Sequence, residues 1–451
     1  MSAQNWLSQS VALFTSRARR SGREDAEPRS TQERLKGSLR RDAEGLSPRM
    51  LRQLLADLQA IVDPLVSEVE GGRRAQVVID WYAQAPAGHR RDLWLLMSER
   101  FMADPVQTAA AQAELAAAAG TEHAAAAEVI YRRNTVSPRR RLLQRFSANP
   151  QGVRFMVDMR AEFQPALRTD RRLLALDIEM EYMFATWFDV GFLELRRISW
   201  DSPASLVEKL IQYEAVHDIR SWADVKNRLD SDRRCYGFFH PRLPEEPLIF
   251  VEVALIREIA SSITPLLDEA AAPADLERAT TAIFYSISNT QPGLRGVSFG
   301  DSLIKNVVET LQREFPRLRT FATLSPIPGL RTWLARQAPA ELLKSWDDAG
   351  PLQALPESAP LRRQLLGWAA RYLGSEMKDG RPLDPVARFH LGNGARIERL
   401  NWWADPSSKG MKQSYGLMVN YLYDLKRLDH NRSQLAQGKI PMASAVKDLY
   451  L

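Results

Sequence analysis

Apolar positions recur at helical spacing through the first half of the chain. Leu51, Leu54, Leu55, Leu58, Ile61 and Val62 fall three and four residues apart, which predicts one apolar helix face. Leu93, Trp94, Leu96, Met97 and Phe101 repeat the pattern, as do Leu173, Leu174, Leu176, Ile178, Met180, Tyr182 and Met183. Between these runs lies an alanine-rich stretch, Ala109 to Ala127, broken at Gly120. Alanine favours helix but adds little core volume, so this stretch reads as closely packed or exposed helix. Residues 46–190 are therefore expected to form an all-α helical bundle with a structural or oligomeric role, and no catalytic constellation stands out in them.

The pattern changes near Gly191. Leu248 to Leu255 is rich in β-formers and follows Pro244 and Pro247, which predicts a strand. Thr281 to Ser288 predicts a second strand, apolar on both faces near its middle and so central, and Phe321 to Ser325 a third. Each of the last two precedes a helical pattern: Leu303, Ile304, Val307, Val308, Leu311 and Phe315 share one face, and Gly329 to Gln337 follows Ser325. Strand–helix–strand–helix order predicts an α/β sheet with some parallel pairing. Residues 338–378 return to helix as an insertion, and short mixed segments close the chain.

Composition narrows the functional classes. The 451 residues carry 61 Lys+Arg against 55 Asp+Glu, a formal charge of +6. Nine basic and four acidic side chains fall within residues 1–41, so five of the six net charges belong to a segment read as a basic flexible tail, residues 1–45. The remainder is nearly neutral and shows no basic cluster of the kind a phosphate backbone demands, so no nucleic-acid partner is expected. The longest apolar run, Leu248 to Ile256, contains Glu252 and is far short of the roughly 20 residues a membrane span needs. One cysteine, Cys235, and six scattered histidines give neither a disulfide framework nor metal-ligand spacing. Neither a Walker phosphate loop nor a dinucleotide fingerprint is present. If the chain is an enzyme, it is expected to work without metal or organic cofactor.

The most informative junction runs from Ser286 to Ser302, where a central strand ends, a glycine-containing loop follows and a long helix begins. Free amides at a helix start favour an anion, and Gly293, Gly296 and Gly300 would let phosphates approach the backbone. An ordinary strand-to-helix loop would look the same. Arg295-Gly-Val-Ser-Phe-Gly300 resembles the (Q/R)-x-x-G-x-(G/A) loop by which GNAT acyltransferases cradle the pyrophosphate of coenzyme A, although Ser298 replaces the first glycine and Asp301 adjoins it.

Longer segments resemble one branch of that superfamily, the malonyl-CoA decarboxylases. These are His240 to Leu255, Ala282 to Ser288, Leu324-Ser-Pro-Ile-Pro-Gly329, Phe389-His-Leu-Gly-Asn-Gly-Ala395, Leu400 to Asp405 and Gly416 to Tyr421. The resemblance implies a helical oligomerisation domain over 46–190 and a GNAT-like catalytic domain over 191–451. It implies conversion of malonyl-CoA to acetyl-CoA and CO2 with no cofactor, coenzyme A being part of the substrate. Carried over by motif, the catalytic serine falls on Ser325 and the catalytic histidine on His390, both also touching substrate. The CoA loop falls on Arg295, Gly296, Val297, Ser298, Phe299, Gly300 and Asp301. Opening of the sheet in such a fold would expose amides at the Ser286–Ser288 strand end. A homo-oligomer, dimer or tetramer, built through the helical domain is implied as well.

The chemistry suits those residues. Loss of CO2 leaves an enolate, which needs an oxyanion partner and a proton delivered to carbon. An unperturbed imidazole titrates near 6.5, so His390 could hold and give that proton. Ser325 precedes Pro326, which biases it to extended geometry and could hold its hydroxyl toward the malonyl group. Read without the family, Ser325 is a turn residue and His390 a structural histidine. His240 and Cys235 read mainly as turn and packing residues, and Tyr285, Asn393, Arg396 and Asn401 as possible lining. The competing functions are a GNAT acyltransferase moving an acyl group to an amine, and a non-catalytic CoA-binding scaffold. The composition leans bacterial and cytoplasmic, and the chain ends Asp448-Leu-Tyr-Leu451, not Ser-Lys-Leu.

Overall fold

The computed structural model describes residues 30–37, 45–297, 303–349 and 352–450. These form two compact units: one runs to Phe188 and includes residues 291–297, and the other comprises the described residues of 189–290 and from 303 onward. Among the described residues no helix is long and apolar enough to cross a membrane.

The first unit is helical. Its helices are α1 (Thr31–Lys36), α2 (Pro48–Val62), α3 (Glu68–Gln84), α4 (Ala87–Arg100), α5 (Pro105–Ala117), α6 (Ala124–Thr135), α7 (Pro138–Ser147), α8 (Gly152–Phe163) and α9 (Leu174–Trp187). Most of the segment assigned to a flexible tail lies outside the described residues, but residues 30–37 correct that reading. Ser30 and Glu33 cap α1 reciprocally. Arg34, buried, donates to Asp92 at 2.6 and 2.8 Å and to the Leu46 carbonyl at 3.0 Å. A paired and hydrogen-bonded charge can be buried, and this one ties α1 to α4. The core face of α2 is as the spacing predicts, with Leu51, Leu54, Leu58 and Ile61 inside. In α9 the expectation fails for two residues: Leu176, Met180, Met183 and Phe184 are buried, while Ile178 and Tyr182 are 64% and 62% exposed. The alanine-rich stretch becomes the α5–α6 hairpin, turning at Gly120 with φ of +77° and burying only Ala111 and Ala127 of its helices.

The second unit is α/β. Among the described residues its main sheet has eight strands: β1 (Glu194–Ile198), β2 (Arg233–His240), β3 (Leu243–Ile256), β4 (Thr281–Asn289), β5 (Thr320–Thr323), β6 (Ser325–Pro326), β9 (Arg396–Asn401) and β10 (Met418–Leu422). A small ribbon pairs β7 (Met377–Lys378) with β8 (Arg381–Pro382). The helices are α10 (Ala204–Tyr213), α11 (Trp222–Arg228), α12 (Leu303–Glu314), α13 (Leu330–Gln337), α14 (Ala340–Asp347), α15 (Pro360–Ser375), α16 (Pro385–Gly392), α17 (Ser408–Ser414), α18 (Leu428–Ala436) and α19 (Ser444–Lys447). Helices α14 and α15 are the insertion.

Strand order is β1-β2-β3-β4-β5-β10-β6, with β9 beside β10. Among the strands of the described residues only β4 and β5 pair parallel, through Thr281–Phe284 against Thr320–Thr323, beside one isolated parallel bridge, Ile397 to Met442. The third predicted strand divides at Leu324 into β5 and β6. There the sheet opens. Leu324 N–H donates to the Phe284 carbonyl at 3.0 Å, and beyond it the rest of β4 keeps only β3, through Ile249↔Asn289 and its neighbours. β6 turns instead to β10, with Ser325 opposite Val419. The gap between the end of β4 and Ser325 is the feature of this unit that positions a site.

Candidate active site

Ser325 stands at the break between β5 and β6, where Pro326 keeps the backbone extended. His390 comes from the last turn of α16, 65 residues further on, and the fold brings its Nε2 to 3.2 Å from Ser325 Oγ. Both are buried, at 5% and 3% exposure. On its other side, His390 Nδ1 lies 2.7 Å from the hydroxyl of Tyr423, just past β10. The imidazole also stacks on Tyr421, ring centroids 4.7 Å apart. Tyr421 and Tyr423 are two residues apart on an extended chain and so present the same face.

Hydrogen-bond bookkeeping fixes the tautomer. Ser325 Oγ donates its one proton to Thr323 Oγ1 at 2.8 Å. It therefore accepts from His390 Nε2–H, which leaves Nδ1 to accept from Tyr423. Thr323 Oγ1 accepts in turn from the Tyr421 amide at 3.1 Å. Burial pulls the His390 imidazole down to about 3 and pushes the Tyr423 phenol well up, so both are neutral near pH 7. The neutral imidazole carries one proton, on Nε2.

Asn420 fixes the strand behind the pair. Its Nδ2 donates to the Thr323 carbonyl at 2.7 Å and to that of Ala260 at 3.0 Å, and its Oδ1 accepts from Asn401 Nδ2 at 2.8 Å. Asn401 thus supports the site from behind. Tyr285 lies in the core cluster with Ile283, Leu324 and Met418. Asn393 and Arg396 bond to Phe389 and Glu398 respectively. His240 Nδ1 accepts from the Arg242 amide at 3.1 Å, a turn contact, and Cys235 is buried among apolar neighbours. Among the described residues no three His, Cys, Asp or Glu side chains gather as metal ligands would.

The expected CoA loop falls in different places. Arg295, Gly296 and Val297 belong to the helical unit, whereas Ser298, Phe299, Gly300 and Asp301 lie outside the described residues. Within the helical unit, buried Arg160 of α8 donates to the carbonyls of Gly293 and Arg295 at 2.8 and 3.1 Å. A Cβ on Gly293 would collide with the Val157 carbonyl, so this glycine serves helix packing and not phosphate approach. Gly296, at φ of +85°, makes the turn.

Comparison with known proteins agrees with this architecture. The malonyl-CoA decarboxylase C-terminal domain matches residues 191–451, and the N-terminal domain of the same family matches 101–188. The chain belongs to the malonyl-CoA decarboxylase family. A mitochondrial malonyl-CoA decarboxylase of goose (Anser anser anser) is 35% identical over 394 residues, 78% of either chain. That of Mus musculus is 38% identical over 336 residues, covering 66% of this chain and 68% of its own. Crystal structures of malonyl-CoA decarboxylases from Rhodopseudomonas palustris and Agrobacterium vitis share 41% and 40% identity, with TM-scores of 0.78 and 0.80. Each covers 88% of this chain and 99% of its own. Within this decarboxylase family's pattern, Ser325 and His390 were visible in short motifs. Thr323, which bonds Ser325 from two residues away, and Tyr423 were not, and only the fold of β10 beside β6 and α16 brings Tyr423 to the imidazole. The i, i+2 tyrosine pair was the one local signal.

Proposed function

We propose that this protein decarboxylates malonyl-CoA to acetyl-CoA and CO2 without metal or organic cofactor. The observation that carries the reading is the neutral chain Tyr423–His390–Ser325 beside the opening of the sheet. Cleavage of the bond to the carboxylate carbon releases CO2 and leaves the electron pair on the α carbon and thioester oxygen as an enolate. Amides on the open part of β4 are the proposed oxyanion donors, each typically worth about 10²–10³ in rate. The α carbon then takes a proton from the Ser325 hydroxyl. Ser325 recovers one from His390 Nε2, His390 takes one at Nδ1 from Tyr423, and solvent restores the last, so one proton is consumed per turnover. A dry, neutral relay suits this step, since a permanent charge beside the departing CO2 would compete with the enolate for the same donors.

Arg295 to Asp301 are assigned to the nucleotide end of coenzyme A on the strength of the motif. A homo-oligomer through the helical unit, dimer or tetramer, is supported by apolar side chains left outside on and beside the α5–α6 hairpin, Met102, Val106, Val129 and Ile130. A cytoplasmic place is supported by likeness to the two bacterial proteins over 99% of their chains.

The test is incubation with malonyl-CoA and no acyl acceptor, with acetyl-CoA and CO2 as the expected products. Ser325→Ala and His390→Asn should each lower kcat by about 10²–10⁴ with KM nearly unchanged, since proton delivery belongs to the transition state. Absence of product from the parent protein, or equal loss of turnover and affinity in the variants, would refute the assignment.

A further inference from the structure

The free end of β4 is held from two directions by side chains that the proton relay does not use. Glu214 follows α10, and its buried carboxylate collects four donors. Ser286 Oγ donates at 2.7 and 2.8 Å to its two oxygens, and Ser288 Oγ at 3.4 Å. The Val216 and His217 amides donate at 2.7 and 2.9 Å. The Ala215 amide adds a bond of 3.1 Å to Ser288 Oγ. All the contacts to β4 fall beyond Phe284, where its pairing with β5 has ended.

From the other side, Lys409 of α17 donates its Nζ to the carbonyls of Ala215 and Val216 at 2.6 and 3.1 Å. Helix α17 leads directly into β10, whose Val419 and Met418 pair with Ser325 and Pro326. The turn at residues 214–216 therefore ties the free end of β4 to the strand pair that carries Ser325. Without that tie the far end of β4 would rest on β3 alone, and the width of the gap would be soft.

We propose that Glu214 and Lys409 are positioning residues that together set the width of the gap between β4 and Ser325, and so restrict the reacting acyl group to an unbranched malonyl chain. The inference rests on the decarboxylase reading. A carbon branch on the α carbon adds one methyl group inside the gap, and a rigid pocket discriminates a group of that size by roughly 10–200-fold.

The experiment compares kcat/KM for malonyl-CoA and methylmalonyl-CoA in the full chain. Lys409 is 41% exposed along its side chain, so Lys409→Met keeps the stem and should leave the unfolding midpoint where it is. The expected result is a preference ratio shifted about tenfold toward the branched substrate, restored by Lys409→Arg, with Glu214→Gln moving it in the same direction. The parent enzyme on malonyl-CoA separates the two levels of the argument. No decarboxylation by the parent removes the functional reading and the strut with it. Normal decarboxylation with an unchanged ratio in both Lys409→Met and Glu214→Gln overturns the strut alone, as does a parent enzyme that treats the two substrates equally.

Discussion

At the scale of the residue, His390 shows how burial changes what a side chain can do. The motif Phe389-His-Leu-Gly-Asn-Gly brings out the residue but not its state. In the fold its imidazole is held down to about 3 by burial, against about 6.5 in the unfolded chain. Between those values the unfolded chain binds a proton that the native one refuses, so stability falls as pH drops through that window. His217, held down to about 4 chiefly by burial, acts in the same sense. In His390→Asn one of these acid liabilities is gone. Chemical denaturation at pH 7, 6 and 5 should show the parent losing stability relative to the variant, by up to about 1.4 kcal/mol per pH unit below 6.5. Parallel pH profiles would contradict a buried neutral imidazole. Ser325 was readable through the short stretch Leu324-Ser-Pro-Ile-Pro-Gly329 that carries the family resemblance, since by itself a serine before Pro326 is a turn residue. The direction of its hydrogen bond depends on Thr323 and His390 together, and no local pattern carries that.

At the scale of the element, α16 decides where His390 sits, and Asp384 decides where α16 begins. One Asp384 oxygen accepts from the Val386 and Ala387 amides at 2.9 and 3.0 Å, capping the helix. The other accepts from the Gly329 amide and the Tyr372 hydroxyl at 3.4 and 3.3 Å. The helix that bears His390 and the turn after Ser325 thus share one buried anchor. Asp384→Ala removes the cap and leaves buried donors unpaired, so it should cost about 1–3 kcal/mol in urea denaturation and lower turnover. Asp384→Asn keeps the cap oxygen and should recover most of that stability; a loss below about 0.5 kcal/mol in the alanine variant would remove the anchor role. The long central strands β3 and β4 were legible because they are buried on both faces and read as continuous apolar runs. β2 was not, since it opens on Arg233-Arg234 and carries Gly237, and only its partners make those residues strand. The exposed Ile178 and Tyr182 failed for another reason: they were counted into the spaced apolar run, but helical phase turns them away from Leu176, Met180 and Met183.

At the scale of the whole molecule, five of the six net positive charges belong to the N-terminal segment, and a nearly neutral body still leaves room for an anionic thioester. The helical unit exposes apolar residues on and beside a hairpin that buries little of itself, and the proposed homo-oligomer rests on this surface. Ile130→Arg together with Val129→Asp should lower the assembled mass measured by light scattering, while the circular dichroism stays helical. An unchanged mass would move the interface elsewhere. Periodicity and motif by themselves determined the helical first half, the two central strands, the pairing of Ser325 with His390 as candidates and the family resemblance, because each depends on residues close together in the chain. Only the tertiary structure decided that β4 and β5 part after Phe284, that His390 is neutral between Ser325 and Tyr423, and that residues 291–297 pack with the helices. Burial and strand pairing depend on neighbours dozens to hundreds of residues away, and no local pattern records which neighbours those will be.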